Sequence, residues 1–174
     1  EIGAQSEIGA QSEIGAQSEI ANLARSFRGI YLGMSYDELV QALSQDELFL
    51  FDGERDVSIL PERNQSLVEV VGRSFVRRAY FQFVQDELFV ISLGLSPQLI
   101  DHYSLFTRLN ERYGQPERLD PRASVWEDEQ TRISLERPLT VKYVDMIIFK
   151  ELLEASQTRE ADAAELRKEF LHEF

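Results

Sequence analysis

His102 and His172 are the only histidines of this chain, and neither has a second histidine or a carboxylate four residues away. On the helices predicted around them they meet neither the ligand spacing of a zinc site nor the partner that tunes an acid–base imidazole. The run D-G-E-R-D-V-S from Asp52 sets oxygen ligands at alternate positions, as a calcium loop does. Its sixth place is Val57, where the sharp turn needs glycine, and its twelfth is Arg63, where a bidentate glutamate would close the site. Asp86 and Glu87, with Glu127, Asp128 and Glu129, have the residue types of a carboxylate pair for sugar hydrolysis. Both clusters fall at predicted hairpin turns, where acids are ordinary solvated residues. Cysteine is absent, which removes thiolate chemistry and disulfides. The chain has no glycine-rich phosphate loop, nucleophile elbow or nucleophile with a plausible base. The expectation is a chain with no catalytic residue, cofactor or metal.

Binding is the chemistry that remains. Arg77 and Arg78 adjoin on a predicted strand and so face opposite ways. An arginine there is a candidate contact for an anion or carboxylate, and its ordinary fate is a pair with a local Asp or Glu. Trp126 is expected to anchor the core of a second sheet. Near the C-terminus Ala163, Leu166, Phe170 and Phe174 recur on one helical face, rimmed by Glu165, Arg167, Lys168, Glu169 and Glu173. That stripe either docks on the sheet of its own chain, the favoured outcome, or receives a partner. The candidate interaction surface is Arg78, Tyr80, Trp126, Leu166, Phe170 and Phe174. The competing arrangement is a small-ligand or enzyme pocket between two units, lined by Tyr80, Phe81, Arg78 and Trp126.

Charge narrows the partners. A net charge of −13 disfavours nucleic acid, whose binders cluster Lys and Arg against phosphates. Seven acids face one base, Arg55, between Asp37 and Asp56, whereas Arg73, Arg77 and Arg78 form a small basic island. No apolar run is long enough to span a bilayer. The chain opens on Glu, which leaves room for a removed export signal.

The elements that must position these residues are well marked. Residues 1–20 repeat E-I-G-A-Q-S three times and begin a fourth copy. The unit fits a left-handed β-helix pattern, yet three copies make only about one coil, and a solenoid needs roughly three stacked repeats. As an α-helix, Ile2, Ile8 and Ile14 form no stripe, so the tract reads as a tether with the folded part starting near Ile30. In L-G-M-S-Y-D-E-L, Ser35 and Glu38 form a capping box, and a helix over 36–48 follows with Leu39, Val40 and Leu43 buried. Short strands at 57–60 and 67–71 precede a hairpin turning at Gln85, Asp86 and Glu87, with Phe81, Phe83, Phe89, Ile91 and Leu93 alternating along it. L-G-L-S-P then echoes L-G-M-S, predicting Ser96 as a second N-cap and Pro97 as the first helical residue. Leu99, Tyr103, Phe106, Leu109 and Tyr113 would form that helix's stripe before Gly114 ends it. W-E-D-E-Q-T-R-I-S-L at 126–135 aligns with V-Q-D-E-L-F-V-I-S-L at 84–93, and a strand near 139–144 completes the second meander. On this alignment the first unit carries about 19 extra residues between helix and hairpin.

The motifs L-G-M-S-Y-D-E-L-V-Q-A-L, L-x-x-x-Y-G-x-P and W-E-D-E-x-T-R-I-S-L resemble small bacterial envelope modules. The nearest architectures are the BamE (SmpA/OmlA) outer-membrane lipoproteins and, as a doubled version, the β-lactamase-inhibitor-protein fold. The region 30–153 is also similar to uncharacterised exported proteins of spirochaetes. The resemblance implies a non-catalytic periplasmic or envelope-associated binding or scaffold module whose partner is another envelope protein or peptide. The expected fold class is α+β: two tandem helix-plus-antiparallel-meander units with a C-terminal helix. The expected boundaries are a 1–27 tether, a 28–155 domain with units at about 30–94 and 95–149, and a 156–174 amphipathic helix.

Overall fold

The computed structural model describes residues 22–51, 57–59 and 64–172, without the side chains of 57–59. The hexapeptide tract, most of the calcium-like run, Glu173 and Phe174 lie outside the described residues.

The chain enters the fold earlier than Ile30. Leu23 is only 8% exposed and joins the main core, while β1 (Ser26–Phe27) pairs with β2 (Ile30–Tyr31). An apolar residue followed by a short hairpin had too little periodicity to show this in the sequence. Helix α1 (Tyr36–Gln45) starts where its capping box predicts: the Ser35 hydroxyl accepts from the Glu38 N–H, and Glu38 accepts from the Ser35 N–H. It stops three residues short of the expected 48, because Asp46 leaves the helical conformation and pairs with Arg28 at 2.6 Å. Leu39 and Leu43 are its buried face.

The strands follow as β3 (Phe49–Leu50), β4 (Val57–Ile59), β5 (Gln65–Gly72), β6 (Val76–Val84) and β7 (Glu87–Leu95). Gln85 and Asp86 alone join β6 to β7, both at positive φ (50° and 63°), as a two-residue turn matched to the sheet's twist requires. The Asp86 carboxylate then accepts the Tyr36 N–H at 2.9 Å, so this turn helps cap α1.

Helix α2 is His102–Tyr113, and its N-cap is Asp101 rather than Ser96. Asp101 accepts from both the N–H and the hydroxyl of Ser104, and this stronger cap starts the helix one turn late. Residues 97–99 form only a turn on the Ser96 carbonyl. Leu99 and Tyr103 are consequently exposed, and Leu109 alone of the expected stripe is fully buried, with Phe106 and Tyr113 partly covered.

The second meander is β8 (Arg118–Leu119), β9 (Ala123–Glu127), β10 (Thr131–Glu136) and β11 (Thr140–Asp145). The fold is α+β, and all pairings are antiparallel. Among the described residues the sheet order is β3-β5-β6-β7-β11-β10-β9-β8, with β4 beside β5. The last strands of the two meanders, β7 and β11, join them into one nine-stranded sheet. By position in the sheet β7 corresponds to β11 and β6 to β10. The W-E-D-E motif therefore aligns the wrong hairpins, and β4, not a 19-residue insertion, is the strand without a counterpart. Their turns differ too: β9 and β10 are joined by residues 128–130, with Glu127 opposite Arg132.

Both α1 and α2 cover one face of the sheet. Tyr36 meets Phe83 edge-on at 6.2 Å, and Phe106 lies 6.1 Å from Trp126. One cluster of buried apolar side chains runs under both helices, from Val68 and Phe81 through Ile91 and Tyr143 to Ile133 and Trp126. The two expected units thus share a core.

Helix α3 is continuous over Met146–Leu171, so the expected boundary at 155/156 falls inside it. Asp145 caps it, accepting the N–H groups of Ile147 and Ile148 at 3.0 and 3.1 Å. Beyond Leu152 every described residue is exposed, so the favoured docking on the sheet does not occur.

Candidate functional site

The face opposite α1 and α2 is lined by alternate residues of every central strand. Register aligns Glu69, Tyr80, Ser92, Lys142, Ser134 and Val125 in one row across the sheet. A neighbouring row carries Leu67, Gln82, Val90, Val144, Arg132 and Glu127. Charges here pair across strands: Arg78 with Glu69 at 2.6 Å, Lys142 with Glu136 at 2.7 Å, and Arg132 with Glu127 at 2.6 Å. Arg78 therefore meets the ordinary fate of a strand arginine. Tyr80 first, and Glu69 after it, push its pKa up, so it remains a fixed cation.

Between these pairs lies a groove of 390 Å³ with an apolar floor of Leu67, Tyr80, Phe89, Val90, Val144 and Phe149. Phe149 comes from the first turns of α3, where the Arg132 guanidinium lies 5.6 Å from its ring. Phe89 reaches the groove through a bulge, because Gln82 pairs with Val90 while Phe83 pairs with Leu88. The bulge reverses the expected alternation: Leu88 enters the helix-covered core and Phe89 the opposite face. A second bulge at Arg77 breaks the simple opposition of Arg77 and Arg78.

The predicted surface residues do not assemble into one site. Arg78 and Tyr80 share the open face. Trp126 is 2% exposed and donates its indole N–H to the Gly114 carbonyl at 2.8 Å, so it is a core anchor and leaves the interaction surface. Phe81 is also buried on the helix-covered side, so Tyr80, Phe81, Arg78 and Trp126 cannot line one pocket. Leu166 and Phe170 are 66% and 64% exposed on α3, and Phe174 lies outside the described residues. The sequence reading missed Leu67, Val90, Lys142, Val144 and Phe149. Alternation gives each of the first four a side of its own strand, but only the pairing of those strands sets them beside Tyr80, and only the chain's path after Asp145 brings in Phe149.

The hairpin acids have structural partners. Asp128 accepts the N–H groups of Leu23, Gln130 and Thr131, and Glu127 pairs with Arg132. His172 follows the last turn of α3, and His102 opens α2, its pKa lowered by burial first and by Arg137 second. Among the described residues no three His, Asp or Glu side chains gather as a metal would need. No described helix is long and apolar enough to cross a membrane.

Residues 25–155 match the model of the TP0088 domain, a family named after a protein of the spirochaete Treponema pallidum. No curated protein and no solved structure matches the chain.

Proposed function

The chain belongs to the TP0088 domain family, and we propose that within this domain the open sheet face is a non-catalytic binding surface for a protein or peptide, in the periplasm or at the cell envelope. The observation that carries the reading is the groove of Leu67, Tyr80, Phe89, Val90, Val144 and Phe149, apolar and aromatic at its centre and rimmed by three ion pairs. Interfaces have that anatomy, with aromatic anchors inside and charge at the margin. The envelope location rests on the likeness of the motifs to envelope modules, and the non-catalytic reading on the turn acids being held as caps and pairs. The exposed Leu166 on α3 offers a second, smaller contact for the same partner.

The groove also spans strands of both meanders and has the volume of a small-ligand site, which supports the alternative of a small-molecule binder. Photo-crosslinking from position 80 on the open face, against position 111 on the outer side of α2, separates the readings in envelope extract. Crosslinks to one protein from position 80 alone support the proposal. Equal labelling from both positions, or none from position 80, rejects it.

A further inference from the structure

At one end of the nine-stranded sheet the turns are tied into a line by backbone hydrogen bonds. Ser96 donates its N–H to the Phe75 carbonyl at 2.8 Å, Leu95 to Leu139 at 2.9 Å, and Arg137 to Arg122 at 2.9 Å. The turns at 73–75, 96–101, 137–139 and 120–122 therefore run side by side from β6 to β9, over about 20 Å. Arg73, Arg77, Arg122 and Arg137 stand exposed along this line, and none is in an ion pair among the described residues. Phe75, Leu99 and Leu119 are exposed among them, at 51%, 54% and 68%. Tyr103 joins them, because the late start of α2 at Asp101 leaves it and Leu99 outside the core. Phe75 is held at the tip of its turn, since its carbonyl accepts from Ser96 and the next N–H donates to the Arg73 carbonyl.

The acids at this end are mostly engaged. Asp46 pairs with Arg28, Asp120 with Arg118 and Glu136 with Lys142, which leaves Glu47 and Asp101 outside ion pairs. The opposite turns carry Asp86, Glu87, Glu127, Asp128 and Glu129 and no large apolar side chain. Strands of six to nine residues hold the two ends about 20–30 Å apart, more than two Debye lengths at physiological salt. The net charge of −13 thus does not cancel the arginines where they stand. We propose that this end of the sheet docks on an anionic lipid surface, with the arginines at headgroup phosphates and Phe75, Leu99 and Leu119 entering the interface. A protein interface sets its apolar groups at the centre and its charges at the rim. Here the two kinds alternate along the line, which fits a layer where phosphates and acyl chains meet. The groove lies on the open face, so this assignment does not rest on it.

Flotation of the full chain with vesicles tests it, using phosphatidylcholine alone and phosphatidylcholine with about a third phosphatidylglycerol. The expected result is flotation with the anionic vesicles at about 0.1 M salt, little with the neutral ones, and loss of most binding at about 0.5 M. Arg137→Gln should weaken partitioning about fivefold, and Phe75→Ser about tenfold or more. Arg112→Gln makes the same change in net charge at the far end of α2 and should leave partitioning unchanged. Arg137 and Arg112 are both exposed, so the two variants should match the parent in melting temperature and decide the matter even if Phe75→Ser does not fold. Absence of flotation with anionic vesicles overturns the proposal in favour of an acidic protein surface. Equal flotation with neutral vesicles, or equal losses in Arg137→Gln and Arg112→Gln, would overturn it as well.

Discussion

Arg25 donates to the Asp145 carboxylate across 120 positions of sequence, and the same guanidinium reaches the Gln130 carbonyl and the Thr131 hydroxyl at 3.0 Å. One side chain thus ties the entering chain to the β9–β10 loop and to the cap of α3. Asp145 is buried, so losing Arg25 leaves a carboxylate held only by two helix N–H groups. Arg25 is partly exposed, which moderates the loss. Arg25→Ala should lower unfolding free energy by about 2 kcal/mol in a urea titration.

Tyr143 is pushed up to about 12 from an ordinary 10.0, by burial first and then by Tyr113. Below pH 10 the folded and unfolded chains both hold the proton, and the stabilising contribution is complete. As pH rises toward 12 the unfolded chain ionises first, and roughly 2–3 kcal/mol of stability is lost. Tyr143→Phe should flatten that alkaline decline, read as the difference between the two proteins' denaturation midpoints at pH 9 and pH 11.5.

Trp126 is the only tryptophan, and its ring is buried beside Phe106. Native fluorescence should therefore be blue-shifted and move red in one step on unfolding. Trp126→Ala should cost about 3–5 kcal/mol through the cavity and the orphaned Gly114 carbonyl.

Asp86 holds the Tyr36 N–H from a hairpin turn fifty positions away. Asp86→Ala should destabilise the protein by about 1 kcal/mol, the usual loss of a helix cap. Faster amide exchange at Tyr36, with little change at Ser104 in α2, would identify the cap as the cause.

Leu166 projects from α3 with two-thirds of its surface exposed. Leu166→Ala should shift stability by less than about 0.5 kcal/mol, as exposed sites do. If α3 extends the binding surface, the same change should lower the crosslinking yield from position 80.

The local signals were legible wherever a short run of residues decides the outcome. Ser35 and Glu38 start α1 as their spacing predicts, because a capping box is complete within four residues. Phe81 and Phe83 face the core because strand alternation needs no partner to be read. Trp126 was expected inside, and the apolar area of its ring puts it there. The class, α+β with a C-terminal helix, follows from the same periodicities.

What depended on pairing between distant segments, or on competition between two neighbouring caps, was not legible. The bulge at Phe89 is created by β6 against β7, and it alone exchanges the faces of Leu88 and Phe89. Asp101 displaced Ser96 as a cap because it binds Ser104 twice, a competition that the echo of L-G-M-S could not reveal. The two meanders meet through β7 and β11, a pairing set by burial of both strands at the sheet centre rather than by any motif. The open face, its groove and the exposed course of α3 follow from that pairing and from the anchor at Asp145. Sequence periodicity fixes which side of a strand is apolar; only the tertiary structure decides which side a helix covers, since that depends on where the neighbouring chain passes.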